Sequence, residues 1–99
     1  MNDLLEILRE YISPAELSYS DWVAVGMALK KEGYTAADWD AWSRADGRYK
    51  AGECFRKWGS FRREDSDTVS GGTIIEMAKQ RGYSYAALAV ELRRAFADI

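Results

Sequence analysis

The stretch Trp39–Phe61, WDAWSRADGRYKAGECFRKWGSF, decides how this chain folds. It carries three of the four tryptophans, Trp39, Trp42 and Trp58, with Phe55 and Phe61 beside them. Trp39 and Trp42 stand three residues apart, which puts them on one face of a helix. Asp46-Gly47 is a stop and turn signal. A further helix is expected over about Lys50 to Gly59, with Cys54, Phe55 and Trp58 turned inward. The same stretch holds the densest positive charge. Between residues 44 and 63, Arg44, Arg48, Lys50, Arg56, Lys57, Arg62 and Arg63 face only Asp46 and Glu53, a local charge of +5 in a chain of net −2. Large apolar anchors and local charge in one segment suit a small helical domain with one polarised face.

Upstream, Leu4, Leu5, Leu8, Tyr11 and Ile12 recur at helical spacing, and Pro14 stops that helix near Ile12 by disfavouring helical geometry at Ser13. One helical turn starting at Pro14 fits the connector SPAELSYS. Ser20 is the expected cap of a second helix, DWVAVGMALKKE. Gly26 inside it costs about 1 kcal/mol against alanine, so close approach of a neighbouring helix or ring is expected there. Gly33 fits the left-handed position that ends the helix. Thr35, with Asp38 three residues on, caps a third helix, AADWDAWSRA. Downstream, RREDSDTVSGG reads as a loop. TIIEMAKQR reads as a helix stopped by Gly82, and Ser84 as the cap of a C-terminal helix over 84–99. No alternating strand pattern occurs. The expected fold is all-α, five or six short helices in one domain over 1–99.

Composition limits the chemistry. Ninety-nine residues, 47% of them hydrophobic, suffice for one core without covalent staples. With one cysteine and no histidine, an internal disulfide and a four-ligand zinc site are both excluded. The lone thiol fits a reducing cytoplasm. No apolar run approaches the ~20 residues of a membrane span, and the N-terminal MNDLLEILREYI does not read as a signal peptide. Cys54 reads as a small buried hydrophobe with no histidine to activate it. Asp65-Ser66-Asp67 reads as a solvated turn rather than a metal pair. Ser70-Gly71-Gly72-Thr73 lacks the lysine of a nucleotide loop. It reads as a helix start, with Gly71, Gly72 and Thr73 a secondary candidate for phosphate contact. No catalytic residue, metal site or cofactor is expected.

The basic cluster is the remaining feature. Arg44, Arg48, Lys50, Arg56, Lys57, Arg62 and Arg63 would neutralise several phosphates. Tyr49 or an exposed aromatic would then stack on an unpaired base. The alternative is a solvated basic face.

The series Asp21-Trp22-Val23-x-Val25-Gly26-Met27-Ala28-Leu29, Trp39-x-x-Trp42-Ser43, Cys54-x-x-Lys57-Trp58-x-Ser60-Phe61 and Gly72-Thr73-Ile74 resembles the second type of primase C-terminal domain, PriCT-2, over about residues 4–83. Members are small helical modules of phage, prophage and plasmid replication proteins, found after a primase region and often ahead of a helicase region. The resemblance implies a non-catalytic accessory domain of a primase or primase-helicase, in the cytoplasm. Its partners would be neighbouring primase and helicase domains and nucleic acid, either single- or double-stranded DNA or a primer RNA–DNA. A structural spacer or protein-docking module between those domains is the alternative.

Overall fold

The computed structural model describes residues 4–62 and 69–83. Among them are five α-helices, one 3-10 turn and no strand, so the fold is all-α. Arg63, the Asp65-Ser66-Asp67 turn, Ser84 and the helix expected after it lie outside the described residues.

Helix α1 (Leu4–Tyr11) ends where the proline requires, and a 3-10 turn (Pro14–Glu16) follows. Helix α2 (Tyr19–Lys31) is the longest and packs against each of the three helices that follow. It starts one residue before the expected cap. Ser18, not Ser20, is extended, and its Oγ accepts from the Asp21 N–H at 3.2 Å, satisfying a donor of the first turn. Gly33 at φ +91° terminates the helix as expected. Helix α3 (Ala36–Ser43) begins with the Thr35/Asp38 reciprocal cap that the sequence predicts.

Helix α4 (Glu53–Ser60) is shorter than expected. Gly52 sits at φ +86°, a left-handed conformation that cannot belong to a right-handed helix, so Lys50 to Gly52 form a turn. One orientation also differs. Cys54, Trp58 and Phe61, at i, i+4 and i+7, set the inward face. Phe55 lies about 100° round from Cys54, beyond that face, and is 51% exposed. Helix α5 (Gly71–Lys79) begins two residues earlier than expected, because Ser70 and Thr73 form a reciprocal cap around the glycine pair.

The core joins α1, α2, α3 and α5 through Ile7, Leu8, Val25, Ala28, Leu29, Trp39, Ile74 and Ala78, all buried. Trp39 is its largest member and has no exposure. Its ring stacks on Trp22 at 4.4 Å and meets Phe61 at 5.5 Å and Trp58 at 6.1 Å. Gly26 is the reason it fits: a Cβ there would lie 2.6 Å from the Trp39 ring. The expected close approach is therefore of a ring.

Trp42 points elsewhere, and its Nε1–H donates to the Ile12 carbonyl at 3.0 Å, tying α3 to the end of α1. Helices α1 and α5 lie side by side in the same direction. At one end Leu4 lies against Gly71, and at the other the Tyr11 and Tyr83 rings meet edge-on at 5.4 Å.

Candidate nucleic-acid interface

The basic residues sit on the end of α3, the turn that follows, and α4. Asp40, on α3, is 3% exposed and organises the first of them. Its carboxylate accepts from Arg44 Nε at 3.2 Å and from the Tyr49 hydroxyl at 2.9 Å. The Arg44 guanidinium also lies over the Tyr49 ring, 5.9 Å from its centre. The hydrogen bond to Asp40, with burial second, pushes the Tyr49 phenol above its ordinary value. The Tyr49 hydroxyl is thus committed to Asp40, and its ring is met by Arg44.

Arg48 is a clamp. Its backbone N–H and Nε donate to Asp46, and Nη2 closes a 2.9 Å ion pair with the same carboxylate. Nη2 also donates to the Leu17 carbonyl at 2.9 Å and the Pro14 carbonyl at 3.3 Å. One guanidinium therefore ties the 44–52 turn to the segment between α1 and α2. The Arg48 hydrogen bonds hold the Asp46 carboxyl below its ordinary value.

Arg44 and Arg48 each bring an acid that cancels their charge, although both guanidinium groups stay largely exposed. Lys50 and Arg56 are exposed and make no ion pair among the described residues. Arg62 is exposed just past α4. Lys57 is half-buried because α4 turns it toward the start of α2, where its ammonium lies 4.8 Å from the centre of the Tyr19 ring. The sequence reading missed Tyr19, which is 56% exposed. No local signal marked it, because the cap of α2 was expected at Ser20 and not at Ser18. It missed Lys30 as well. The Lys30 Nζ crosses from α2 to donate to the Trp58 and Phe61 carbonyls at 2.7 and 3.2 Å, closing the end of α4 with a cation.

A solvent-open cleft of about 70 Å³ lies beside these groups, with Tyr19, Trp22 and Cys54 on its walls and Arg48, Lys50 and Glu53 at its polar edge. Trp22 Nε1–H donates to Ser43 Oγ at 2.9 Å and fixes the indole there. Burial pushes the Cys54 thiol above its ordinary value, against a smaller opposing effect of Ser43.

The family model described as Primase C terminal 2 (PriCT-2) matches residues 3–78. The chain belongs to the PriCT-2 family. No curated protein and no solved structure matches it. The PriCT-2 match runs from the start of α1 into the last turn of α5, so it spans every described helix, and it identifies a primase-associated C-terminal domain that serves DNA replication.

The secondary candidate for phosphate contact in this PriCT-2 domain is already engaged. Gly71 N–H donates to Glu32 Oε1 at 3.0 Å, Gly72 N–H to Ser70 Oγ, and Thr73 N–H to the Ser70 carbonyl. A carboxylate from the end of α2 thus occupies the place an external anion would take at the start of α5. Among the described residues, no three metal-ligating side chains come together, and no helix is long and apolar enough to cross a membrane.

Proposed function

We propose that this PriCT-2 domain is a non-catalytic accessory module that holds nucleic acid for a neighbouring primase or helicase domain of a cytoplasmic replication protein of phage or plasmid type. The observation that carries the reading is convergence. Lys57 from α4 lies against one exposed aromatic, Tyr19, and Lys50 and Arg48 line the cleft beside that ring, with Arg56 on the same helix as Lys57. Cations gathered around an exposed ring suit a strand that offers phosphates and bases together.

The pairing of Arg44 with Asp40 and of Arg48 with Asp46 makes the effective patch smaller than seven charges. Three cations, Lys50, Arg56 and Lys57, make no ion pair among the described residues and are left for phosphate. Binding by so few contacts is weak, about 10⁻⁴–10⁻⁶ M at physiological salt. With three phosphates neutralised, log K falls against log salt with a slope of about −2 on single strands.

The test is titration of labelled single-stranded and duplex DNA at two salt concentrations, with the triple reversal Lys50→Glu, Arg56→Glu, Lys57→Glu as control. Salt-sensitive binding that the reversal removes, with helix content retained, is the expected result. Absence of binding to either form at low salt would instead favour a spacer between the primase and helicase domains. The arrangement of α1 and α5, which sends the chain in at one end and out at the other, supports that second reading.

A further inference from the structure

We propose that the cleft beside Tyr19 seats one unpaired nucleobase, so that the domain takes single strands in preference to duplex; this rests on the nucleic-acid reading above. Three observations converge on it. First, Tyr19 is more than half exposed yet held in place. It follows the Ser18 cap as the first residue of α2, its ring packs 5.7 Å from Trp22 on one side, and the Lys57 ammonium lies 4.8 Å away. A base would stack on this ring by displacing the Lys57 ammonium from over it towards a neighbouring phosphate.

Second, the cleft next to it has both apolar and charged walls. Its lining joins buried Cys54 and partly buried Trp22 to Asp46, Arg48, Glu53 and exposed Lys50. A flat ring with an apolar face and a polar rim suits such a lining. The volume, about 70 Å³, falls well short of the about 300–1,000 Å³ of sites that engulf a whole small molecule. It suits partial insertion of one base rather than capture of a free nucleotide. Third, Lys57 at the ring and Lys50 in the cleft lining supply cations for the phosphates on either side of an inserted base. A base in duplex is stacked on both faces and cannot present one to Tyr19 without unpairing. The same chemistry admits an unpaired base of DNA or of RNA.

Phe55, the other exposed large aromatic among the described residues, does not line the cleft and is the matched control. The experiment uses the 99-residue chain with a fluorescent oligothymidylate and a duplex of equal length. Variants are Tyr19→Ala, Tyr19→Phe and Phe55→Ala, each checked for helix content. Tyr19→Ala is expected to weaken single-strand binding about tenfold or more and to leave duplex binding within about twofold. Tyr19→Phe and Phe55→Ala are expected to leave both near the parent value. An oligonucleotide carrying 5-iodouracil supplies a readout on the unaltered chain: irradiation is expected to cross-link it at Tyr19 or Trp22, mapped by mass spectrometry.

Absence of binding to both nucleic acids would remove the nucleic-acid reading and this inference with it. Binding that the charge reversal abolishes but Tyr19→Ala leaves unchanged, equal for both strand forms, would leave the basic face standing and overturn the base seat. Loss on Phe55→Ala, or cross-links mapping only outside the cleft, would overturn it as well.

Discussion

Gly26 and Trp39 show how one missing methyl group shapes this core. Two effects of Gly26→Ala oppose each other. Alanine favours the helix by about 1 kcal/mol, whereas its Cβ would meet the Trp39 ring at 2.6 Å. Overpacking a filled core costs about 1–3 kcal/mol. The upper part of that range applies here, because Trp39 is fully buried between Trp22, Trp58 and Phe61 and has nowhere to move. Gly26→Ala is therefore expected to lower the melting temperature by about 5–15 °C, measured by circular dichroism; a rise would show that the ring yields. Trp39 also carries an indole N–H with no hydrogen-bond partner among the described residues. Three-sided aromatic packing is thus favoured here over hydrogen bonding. Legibility at this scale was good for residues whose role is local. The glycine inside a helix announced a close neighbour, and Gly33 and Thr35 announced an end and a beginning. Phe55 was misread because an aromatic beside Cys54 looks like core until the arc of the inward face is known. Tyr19 was missed because its importance comes from Lys57 and Lys50, distant in sequence.

Between elements, the last turn of α2 organises two other helices. Lys30 closes the end of α4 and Glu32 the start of α5, each a charge placed at the helix terminus of opposite partial charge. Neither contact spans fewer than 28 residues, so no local pattern could reveal it; in sequence, Lys30 and Glu32 read as an ordinary solvated helix end. Lys30→Met keeps the aliphatic stem and removes both donors, and is expected to destabilise by about 1 kcal/mol in urea unfolding. The turn after α3 gives a pH dependence. Asp46 titrates below its ordinary 3.8, chiefly through the Arg48 hydrogen bonds. The ionised carboxylate therefore stabilises the fold fully above that value, and the contribution disappears as pH falls through the lowered one. Tyr49 titrates above its ordinary 10.0, so its contribution is present below 10.0 and disappears as pH rises through the raised value. Thermal melts across pH should fall at both extremes. Arg48→Met should flatten the acid limb and leave the alkaline limb unchanged; an unaltered acid limb would show that Arg48 does not hold Asp46 in solution.

For the whole molecule, Cys54 reports on integrity. It is fully buried, and that burial pushes the thiol further above its ordinary value, which lowers its thiolate fraction. Its reaction with a thiol reagent is expected to be slow in the folded chain and to accelerate with denaturant along the unfolding curve. Fast modification of the native protein would mean that the cleft beside Cys54 opens far more readily than its packing suggests. Fold class was legible at this scale because helical periodicity, caps and stops agreed along the chain. The interface was less so. Of the seven basic residues between 44 and 63, Arg44 and Arg48 are taken by Asp40 and Asp46, and that subtraction needs three dimensions.

The parallel pairing of α1 and α5 has a mechanical consequence. Leu4 and Tyr83 lie at opposite ends of two helices that point the same way, about 10 Å apart along α1 at 1.5 Å per residue. Tension applied through those two points would slide α1 along α5 instead of peeling them apart. Sliding strains every contact along the seam together, whereas peeling breaks them one at a time. Pulled at those two points, the domain would hold until the whole seam gives way at once.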